Sequence, residues 1–491
     1  MSQNALDSEE FDAVVLGTGL IESIVASELA AADKKVLHID RNPYYGGSFA
    51  CFTLSAFIEW AVQHRDQRQT PSVDIFVGSG SIDTESPTFV VDHTSKLGDA
   101  NNATSDAAER LVERLSPYLA DAQQPSERIS VTEQLAKLLS NDRKYAIELA
   151  PKVAYCRGKL VDLVINTGIG DHVQFKGVEH NYIARDDDAI ERVPDSKGDI
   201  FASDSLSLIE KRKLMKLMTS IDDDKLTEEC ADDMSFAQFL ETRFKLSGKL
   251  LDSVLYAVAR VEKRDELSAR AGCARVQKYV RSIGRYGRMA YLCAMYGGGS
   301  EIAQSFCRLC AVSGGTYILS ERVGSVEKRD DDTGYAVQLS HGRVFAKHVV
   351  LDPSYLPDSE PTDCAVSRAV CILDNPVLGD DTTAILSYVV DVGVVSVLYT
   401  TQATLAAPSG QSVVYLWTSG RLSDTRALLL SALNKVCGSL ARPLFTALFE
   451  TRDMKPVQDA LPGLCYTAAP DSTLDFDSAV DRALEIVADI A

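Results

Sequence analysis

The first forty residues hold the pattern that most restricts the fold of this chain. An apolar run at 11–16 is followed at once by the glycine turn Gly17-Thr-Gly19, and an amphipathic stretch follows that turn. A second apolar run then ends on Asp40, 21 residues after Gly19. Strand, glycine-rich turn, helix, strand and acid in this order are typical of a Rossmann dinucleotide site. The pattern therefore predicts an α/β fold with a parallel sheet near the N-terminus.

The third glycine of that pattern is missing, and Glu22 stands in its place. The third glycine normally lets the helix and the strand pack closely. A carboxylate there adds bulk, and it places negative charge where a pyrophosphate would approach the helix N-terminus. We therefore interpret Gly17, Gly19 and Asp40 as a vestigial cofactor site, and we expect no bound cofactor.

Charge and cysteine content restrict the class of protein further. The 491 residues include 70 acidic and 50 basic side chains, a formal charge of −20, which argues against nucleic-acid binding. The 11 cysteines are scattered, as in a protein of the reducing cytoplasm. Cys307 and Cys310 form a single Cys-x-x-Cys without a second ligand pair, so no metal site is expected. No apolar run reaches the roughly 18 residues of a membrane span.

The pattern of apolar residues divides the chain into segments. Residues 65–145 are polar and resemble a partly flexible insertion, whereas 203–278 reads as all-helical. A helix at 205–221 carries the capping-box pair Ser207 and Glu210. After residue 279 we expect a hairpin, a buried strand at 349–352 that returns to the first sheet, and a second sheet. That second sheet would use strands near 369–373, 385–399 and 412–417, and helices at 423–440 and 475–490 would follow.

Residues 274–288 alternate basic and apolar side chains at helical spacing. Three explanations of the basic face remain open: a partner surface, an acidic neighbour within the chain, and a solvated helix face. Glycines 284 and 287 are expected to end the helix before the last basic residue. The basic positions are Arg275, Lys278, Arg281, Arg285 and Arg288, and the apolar positions are Val276, Tyr279, Val280 and Ile283.

Several motifs together resemble the family of Rab escort proteins and Rab GDP-dissociation inhibitors. They cover most of the chain in order, and few families share the set. The motifs are the N-terminal block through NPYYGG at 42–47, ELAPKVAYCRG at 148–158, HVQFK at 172–176, GRYG at 284–287, MYGGG at 295–299, EIAQ at 301–304 and GGTY at 314–317. The aromatic helix expected after Gly47 and the long segment before residue 148 are closer to the escort branch.

This resemblance implies a FAD/NAD(P)-binding Rossmann-type fold, similar to flavoprotein monooxygenases, with an inserted all-helical domain. It places a Rossmann-like domain I at 1–202 and 279–491, and a helical lipid-binding domain II at 203–278. The implied function is non-catalytic: the chain binds GDP-loaded Rab GTPases, presents them to the Rab geranylgeranyl transferase α/β heterodimer, covers the geranylgeranyl lipid and contacts membranes transiently. A Rab GDP-dissociation inhibitor and, from another class, a FAD-dependent oxidoreductase are the alternatives.

The resemblance also implies roles for individual residues. Tyrosines after a glycine-bounded turn are typical interface anchors, and methionines suit a pocket for a mobile isoprenoid, although core packing would explain both. Tyr279 is expected to dock the transferase, and no catalytic or metal residues are expected. The expected Rab-binding residues are Tyr44, Tyr45, Arg281, Arg285, Tyr286 and Tyr291, and the expected lipid-binding residues are Leu214, Met215, Leu217 and Met218.

Overall fold

The first sheet gathers strands from both ends of the chain. The computed structural model describes residues 9–66, 74–77, parts of 106–113, 125–222, 233–455 and 461–490, except for positions 187, 195, 205, 332, 357 and 358. Within these residues, the first sheet has seven strands. Their order is β11-β2-β1-β14-β13-β12, and β20 pairs with β14. The strands are β1 (Glu10–Leu16), β2 (Val36–Ile39), β11 (Thr316–Ile318), β12 (Val323–Lys328), β13 (Tyr335–Leu339), β14 (Gly342–Leu351) and β20 (Leu464–Tyr466).

The expected Rossmann unit is confirmed. β1 pairs in parallel with both β2 and β14, and α1 (Leu20–Ala31) begins directly after the glycine turn. The buried strand expected at 349–352 is the end of β14, so it does return to the first sheet. Two later helices pack on α1, α10 (Gly298–Val312) and α12 (Asp477–Ile490). Almost every residue of α1 is buried, because helices cover it on both sides.

The second sheet has eight strands in the order β4-β19-β15-β18-β17-β16-β8-β9. The single strand expected at 385–399 is an antiparallel hairpin of β16 and β17. One face packs on α11 (Leu422–Cys437). The strands are β4 (Asp74–Val77), β8 (His180–Ala184), β9 (Glu191–Arg192), β15 (Glu360–Leu373), β16 (Ala384–Val390), β17 (Gly393–Thr400), β18 (Ser412–Ser419) and β19 (Pro443–Lys455).

The other face of the second sheet packs on the helical segment. α6 has the expected capping box: the Ser207 hydroxyl accepts from the Glu210 N–H, and the Glu210 carboxylate accepts from the Ser207 N–H. The helical segment shares one core with the sheet residues Val370 and Trp417. Its helices are α5 (Lys197–Ala202), α6 (Leu208–Ile221), α7 (Phe236–Arg243), α8 (Gly248–Asp252), a π-helical turn (Ser253–Val258) and α9 (Ala269–Ser282). α9 therefore crosses the boundary expected at 278.

Short elements connect the two sheets. A two-stranded sheet joins β3 (Cys51–Phe52) to β5 (Ile147–Glu148), and a three-stranded sheet has the order β6-β10-β7. The latter strands are β6 (Ala154–Tyr155), β7 (Phe175–Gly177) and β10 (Tyr291–Ala294), and the remaining helices are α2 (Leu54–Asp66), α3 (Pro125–Leu139) and α4 (Lys159–Thr167). Of the insertion expected at 65–145, the structure describes β4, α3 and a few helical residues near 110, and the rest lies outside the described residues.

None of the helices within the described ranges is long and apolar enough to cross a membrane. In the same part of the chain, histidine, cysteine and acidic side chains do not form a group of three or more that could hold a metal ion.

Candidate functional site

The glycine turn after β1 is filled by a side chain of the protein itself. Gly17 has a positive φ of 113°, which favours glycine. Glu22, in the first turn of α1, folds back over this turn, so that a methyl group on Gly19 would lie 2.3 Å from Glu22 Oε2. The Thr467 hydroxyl donates to the other Glu22 oxygen. The Glu22 carboxylate therefore occupies the place where the Rossmann pattern puts a pyrophosphate.

The acid at the end of β2 is also engaged within the protein. Asp40 is fully buried, and its Oδ2 accepts from the Thr18 N–H at 2.8 Å and from the Thr18 hydroxyl at 2.5 Å. Its Oδ1 accepts from the Asn42 N–H at 2.7 Å and from the Tyr355 hydroxyl at 3.2 Å. A ribose would have to displace these donors to reach Asp40. The residues present therefore do not fit a dinucleotide, and Gly17, Gly19 and Asp40 act as parts of a closed turn.

Burial changes the acid strength of the carboxyl that fills the turn. Desolvation raises the pKa of Glu22 to about 7, and the nearby Asp352 and Asp40 act in the same direction. Only the hydrogen bonds that Glu22 accepts oppose this shift. The turn is therefore closed by a group whose charge depends on pH near neutrality.

The basic face of α9 is largely paired with acids of the same chain. Lys278 Nζ lies 2.6 Å from Asp477 and 3.3 Å from Asp475, both near the start of α12. Arg281 contacts the Asp222 carboxylate at 3.4 Å and donates to the Asp222 carbonyl at 2.9 Å. Of the three explanations left open, the acidic neighbour within the chain therefore holds for these two residues.

Arg285 and Tyr286 lie just after α9, in the turn of the GRYG motif. Arg285 Nη1 donates to the Cys156 carbonyl at 2.9 Å and to Asp162 Oδ1 at 2.8 Å. The Tyr286 ring is 50% exposed, and the Arg285 guanidinium lies 5.4 Å from its centroid. α9 ends at Ser282, before Gly284 with φ of 91°, as the glycine spacing predicts. The turn therefore presents the exposed Tyr286 ring beside the Arg285 guanidinium, which hydrogen bonds hold in place.

Tyr44 and Tyr45 pack against different neighbours. The Tyr44 ring meets Phe52 edge-on at 4.9 Å, and it borders the core shared by the helical segment and the second sheet. The Tyr45 ring stacks on Tyr317 of β11 at 5.7 Å. Both side chains are half-buried, so each has a packed side and an open side.

Tyr279 and Tyr291 require a correction. Each is only 2% exposed, and their rings lie 5.7 Å apart in the core. The Tyr291 hydroxyl donates to the Tyr155 hydroxyl at 3.1 Å. The expectation that Tyr279 docks a partner and that Tyr291 contacts one is wrong for this conformation, because neither side chain reaches the surface. Tyr279 belongs to the apolar face of α9, and core packing explains it.

The expected lipid residues lie on the inner side of α6. Leu214, Leu217 and Met218 are buried, and Met215 is half-buried against the same core. Met218 lines an open cleft, which has a volume of about 610 Å³. Its other lining residues include Val280, Ile283, Arg157 and Arg281. Leu214 and Leu217 are therefore core residues, whereas Met218 borders a cleft with both apolar and charged lining residues.

A buried lysine was missed by the sequence reasoning, although it lies within the 148–158 motif. The Lys152 ammonium donates to Asp471 at 2.5 Å and to the Thr473 carbonyl at 2.6 Å. The pairing with Lys152 lowers the pKa of Asp471 to about 2 against the opposing effect of burial. The bonds connect the 148–158 motif to the loop before α12. A lysine between the apolar residues Pro151 and Val153 was the signal that could have indicated it.

The comparisons with known proteins agree with this geometry. The family model "GDP dissociation inhibitor" matches residues 7–74 and 121–397. A Drosophila melanogaster relative, "Rab proteins geranylgeranyltransferase component A", is 28% identical over 97% of this chain and 88% of its own. The "Rab GDP-dissociation inhibitor" of Saccharomyces cerevisiae is 29% identical over 77% of this chain and 71% of its own.

Solved structures show the same fold. The Rab GDI of Plasmodium falciparum superposes with a TM-score of 0.69 at 18% identity, covering 98% of both chains. A putrescine oxidase mutant superposes with a TM-score of 0.52 at 12% identity, covering 98% of this chain and 99% of its own. The Rossmann-type α/β fold of flavin-dependent oxidoreductases, expected from the sequence, is thereby confirmed. With a family model that matches well over half of its length, this chain belongs to the GDP dissociation inhibitor family.

Proposed function

We propose that this chain acts as a Rab escort protein. It would bind GDP-loaded, unprenylated Rab GTPases, present them to the Rab geranylgeranyl transferase α/β heterodimer, and carry the product to a membrane. The observation that carries this proposal is the likeness to component A of the Drosophila melanogaster transferase along 97% of the chain.

The turn after α9 is the proposed centre of the Rab contact. Tyr286 offers an exposed ring, and Asp162 holds the neighbouring Arg285 in place. Aromatic and arginine side chains of this kind supply most of the energy in many interfaces. Tyr44, Tyr45 and Arg281 are proposed as further contacts. Arg281 already pairs with Asp222, so a partner would have to compete for it.

The cleft beside Met218 is the proposed entrance for the lipid. Burying each methylene stabilises the bound state by about 0.8 kcal/mol, so a geranylgeranyl chain gains much by leaving water. Met218, Val280 and Ile283 offer apolar surface there. Met215 borders the same core, and its flexible thioether suits a mobile chain.

The chain is proposed to be a non-catalytic component. Glu22 fills the glycine turn and Asp40 is engaged by four donors, so the residues do not fit the cofactor that the oxidoreductases of this fold use. The prenyl transfer itself would belong to the partner enzyme. An oxidoreductase is accordingly the weaker alternative.

In vitro prenylation tests this function directly. Purified transferase, geranylgeranyl diphosphate and a GDP-loaded Rab are incubated with and without the chain, and lipid incorporation is measured. We expect incorporation to depend on the chain, because a protein that holds Rab and transferase together raises their effective concentration. The likeness to the Saccharomyces cerevisiae inhibitor keeps a second function open. Extraction of prenylated Rab from membranes without support of prenylation would favour that inhibitor function.

A further inference from the structure

A group of large apolar side chains is exposed at the start of the helical segment. Phe201 near the end of α5 is 66% exposed, and Leu208 and Ile209 in the first turn of α6 are 76% and 67% exposed. α5 and α6 are in contact, and the Lys211 ammonium donates to the Phe201 carbonyl at 2.9 Å. The three apolar side chains therefore project from one corner of the molecule.

The outer face of α6 combines these residues with cations. At 100° per residue, Leu208, Ile209, Arg212 and Lys216 fall within about 100° of one another. The buried stripe of Leu214, Leu217, Met218 and Ile221 points the opposite way. Arg212 and Lys216 are exposed. An apolar tip with cations one and two turns behind it combines the two attractions that hold a helix at an anionic bilayer, namely buried apolar area and electrostatic attraction to the headgroups.

Few acids oppose this charge. Glu210 is the single acid of α6, and its carboxylate is held in the capping box on Ser207. Asp199 of α5 accepts from the Ser196 hydroxyl at 2.9 Å. Asp204, in the connection between α5 and α6, is exposed. Residues 197–221 therefore carry five basic and three acidic side chains, although the whole chain has a charge of −20.

We propose that Phe201, Leu208 and Ile209, with Arg212 and Lys216 behind them, form a membrane-docking corner that inserts into an anionic bilayer. The proposal deepens the proposed function, on which it rests, because it assigns the membrane contact to residues. Charge complementarity favours a lipid surface: the apolar tips would enter the interface while the cations meet anionic headgroups.

Vesicle sedimentation tests the corner without Rab or transferase. The full chain is mixed with phosphatidylcholine vesicles with and without phosphatidylserine. We expect stronger binding to the anionic vesicles and loss of that preference at high salt. The double variant Leu208→Glu/Ile209→Glu should bind them at least about tenfold more weakly, since it removes the apolar insertion. Arg212→Glu/Lys216→Glu should abolish the preference for phosphatidylserine, and Phe201→Gln should weaken binding on its own.

Val392→Glu is the matched control, because Val392 is an exposed apolar residue outside α5 and α6, in the β16–β17 turn, and it should bind like the wild type. Each variant is checked for an unchanged melting temperature. Equal binding of both vesicle types by the wild type would overturn the proposal. So would variants that bind vesicles normally but fail to support prenylation of soluble Rab, because the corner would then be a protein contact. Failure of the escort function itself would appear as absent prenylation with the wild-type chain.

Discussion

At the scale of single residues, two buried glutamates each place a carboxyl group against the glycines at the start of a helix. Glu22 folds over Gly19 before α1, and Glu148 accepts from the Gly299 N–H at 3.4 Å in the first turn of α10. Burial raises the pKa of Glu22 to about 7 and that of Glu148 to about 8. In both places a carboxyl of the protein lies at a helix N-terminus, where the helix dipole favours negative charge. Desolvation outweighs this preference.

Glu22→Gln should change how stability depends on pH. Because the folded-state pKa of Glu22 is raised, the stability that its protonated form contributes is present below its ordinary pKa of 4.5 and is lost as pH rises through about 7. Gln keeps the shape and cannot ionise. The free energy of unfolding of the variant, relative to wild type, should rise by about 2 kcal/mol between about pH 5 and pH 8. Urea unfolding at both pH values measures it. Glu148 is present in both proteins, and parallel pH curves would contradict the prediction.

Alanine substitutions of Tyr279 and Tyr286 should distinguish a core residue from a residue that contacts a partner. Tyr279→Ala should lower the free energy of unfolding by about 3 kcal/mol, because it leaves a cavity in the core. Tyr286→Ala, the matched control at an exposed position, should change stability by less than about 0.5 kcal/mol. It should instead weaken binding to a GDP-loaded Rab by about 1–2 kcal/mol. Denaturant unfolding and titration calorimetry measure the two effects. A fully stable Tyr279→Ala variant would show that the tyrosine is not a core residue.

At the scale of elements, α6 illustrates how local sequence and packing cooperate. Its capping box satisfies N–H groups at the start of the helix, and its apolar stripe faces the core. The same helix leaves Leu208 and Ile209 outside. Since those two side chains gain little burial from folding, the start of α6 depends strongly on its cap.

Ser207→Ala should therefore destabilise the protein by about 1 kcal/mol, the usual cost of losing an N-cap. Ser207→Thr keeps a hydroxyl acceptor and should cost clearly less. Thermal unfolding of the two variants beside wild type measures the difference. Equal melting temperatures for alanine and threonine would mean that the capping hydrogen bonds contribute nothing measurable.

At the scale of the whole molecule, the helical segment and the second sheet share one hydrophobic core. Leu217 and Leu255 of the helices lie in the same cluster as Val370 and Trp417 of the sheet. A helical segment that buries its apolar face on the sheet does not have a separate core. The boundaries at 203 and 278 therefore separate two sequence patterns, but they do not separate two hydrophobic cores.

A single cooperative transition is the expected consequence. The chain has two tryptophans, and both Trp60 and Trp417 belong to or border that core. Tryptophan fluorescence and helical circular dichroism should therefore give the same denaturant midpoint, as expected for two-state unfolding. Because the helical segment contributes much of the helix signal, an earlier loss of circular dichroism would show that it unfolds on its own.

The predictions that rested on local pattern agree with the structure. The glycine turn, β1, α1 and β2 follow from residues close in sequence, and so does the capping box of Ser207 and Glu210. The prediction of one strand at 385–399 was wrong, because an apolar run does not reveal the turn that makes it a hairpin. β19 was not anticipated, although it lies between β4 and β15 in the second sheet.

The sequence by itself determined the Rossmann unit, the family resemblance and the position of Glu22 in the glycine turn, since these depend on spacing along the chain. The tertiary structure decided where side chains point. In the folded chain, the Glu22 carboxylate accepts from the Thr467 hydroxyl, Lys278 pairs with Asp477, and Tyr279 lies in the core. Each of these contacts joins residues far apart in sequence or depends on the surrounding core. Periodicity shows which residues share a helix face, but only the packed chain determines what that face meets.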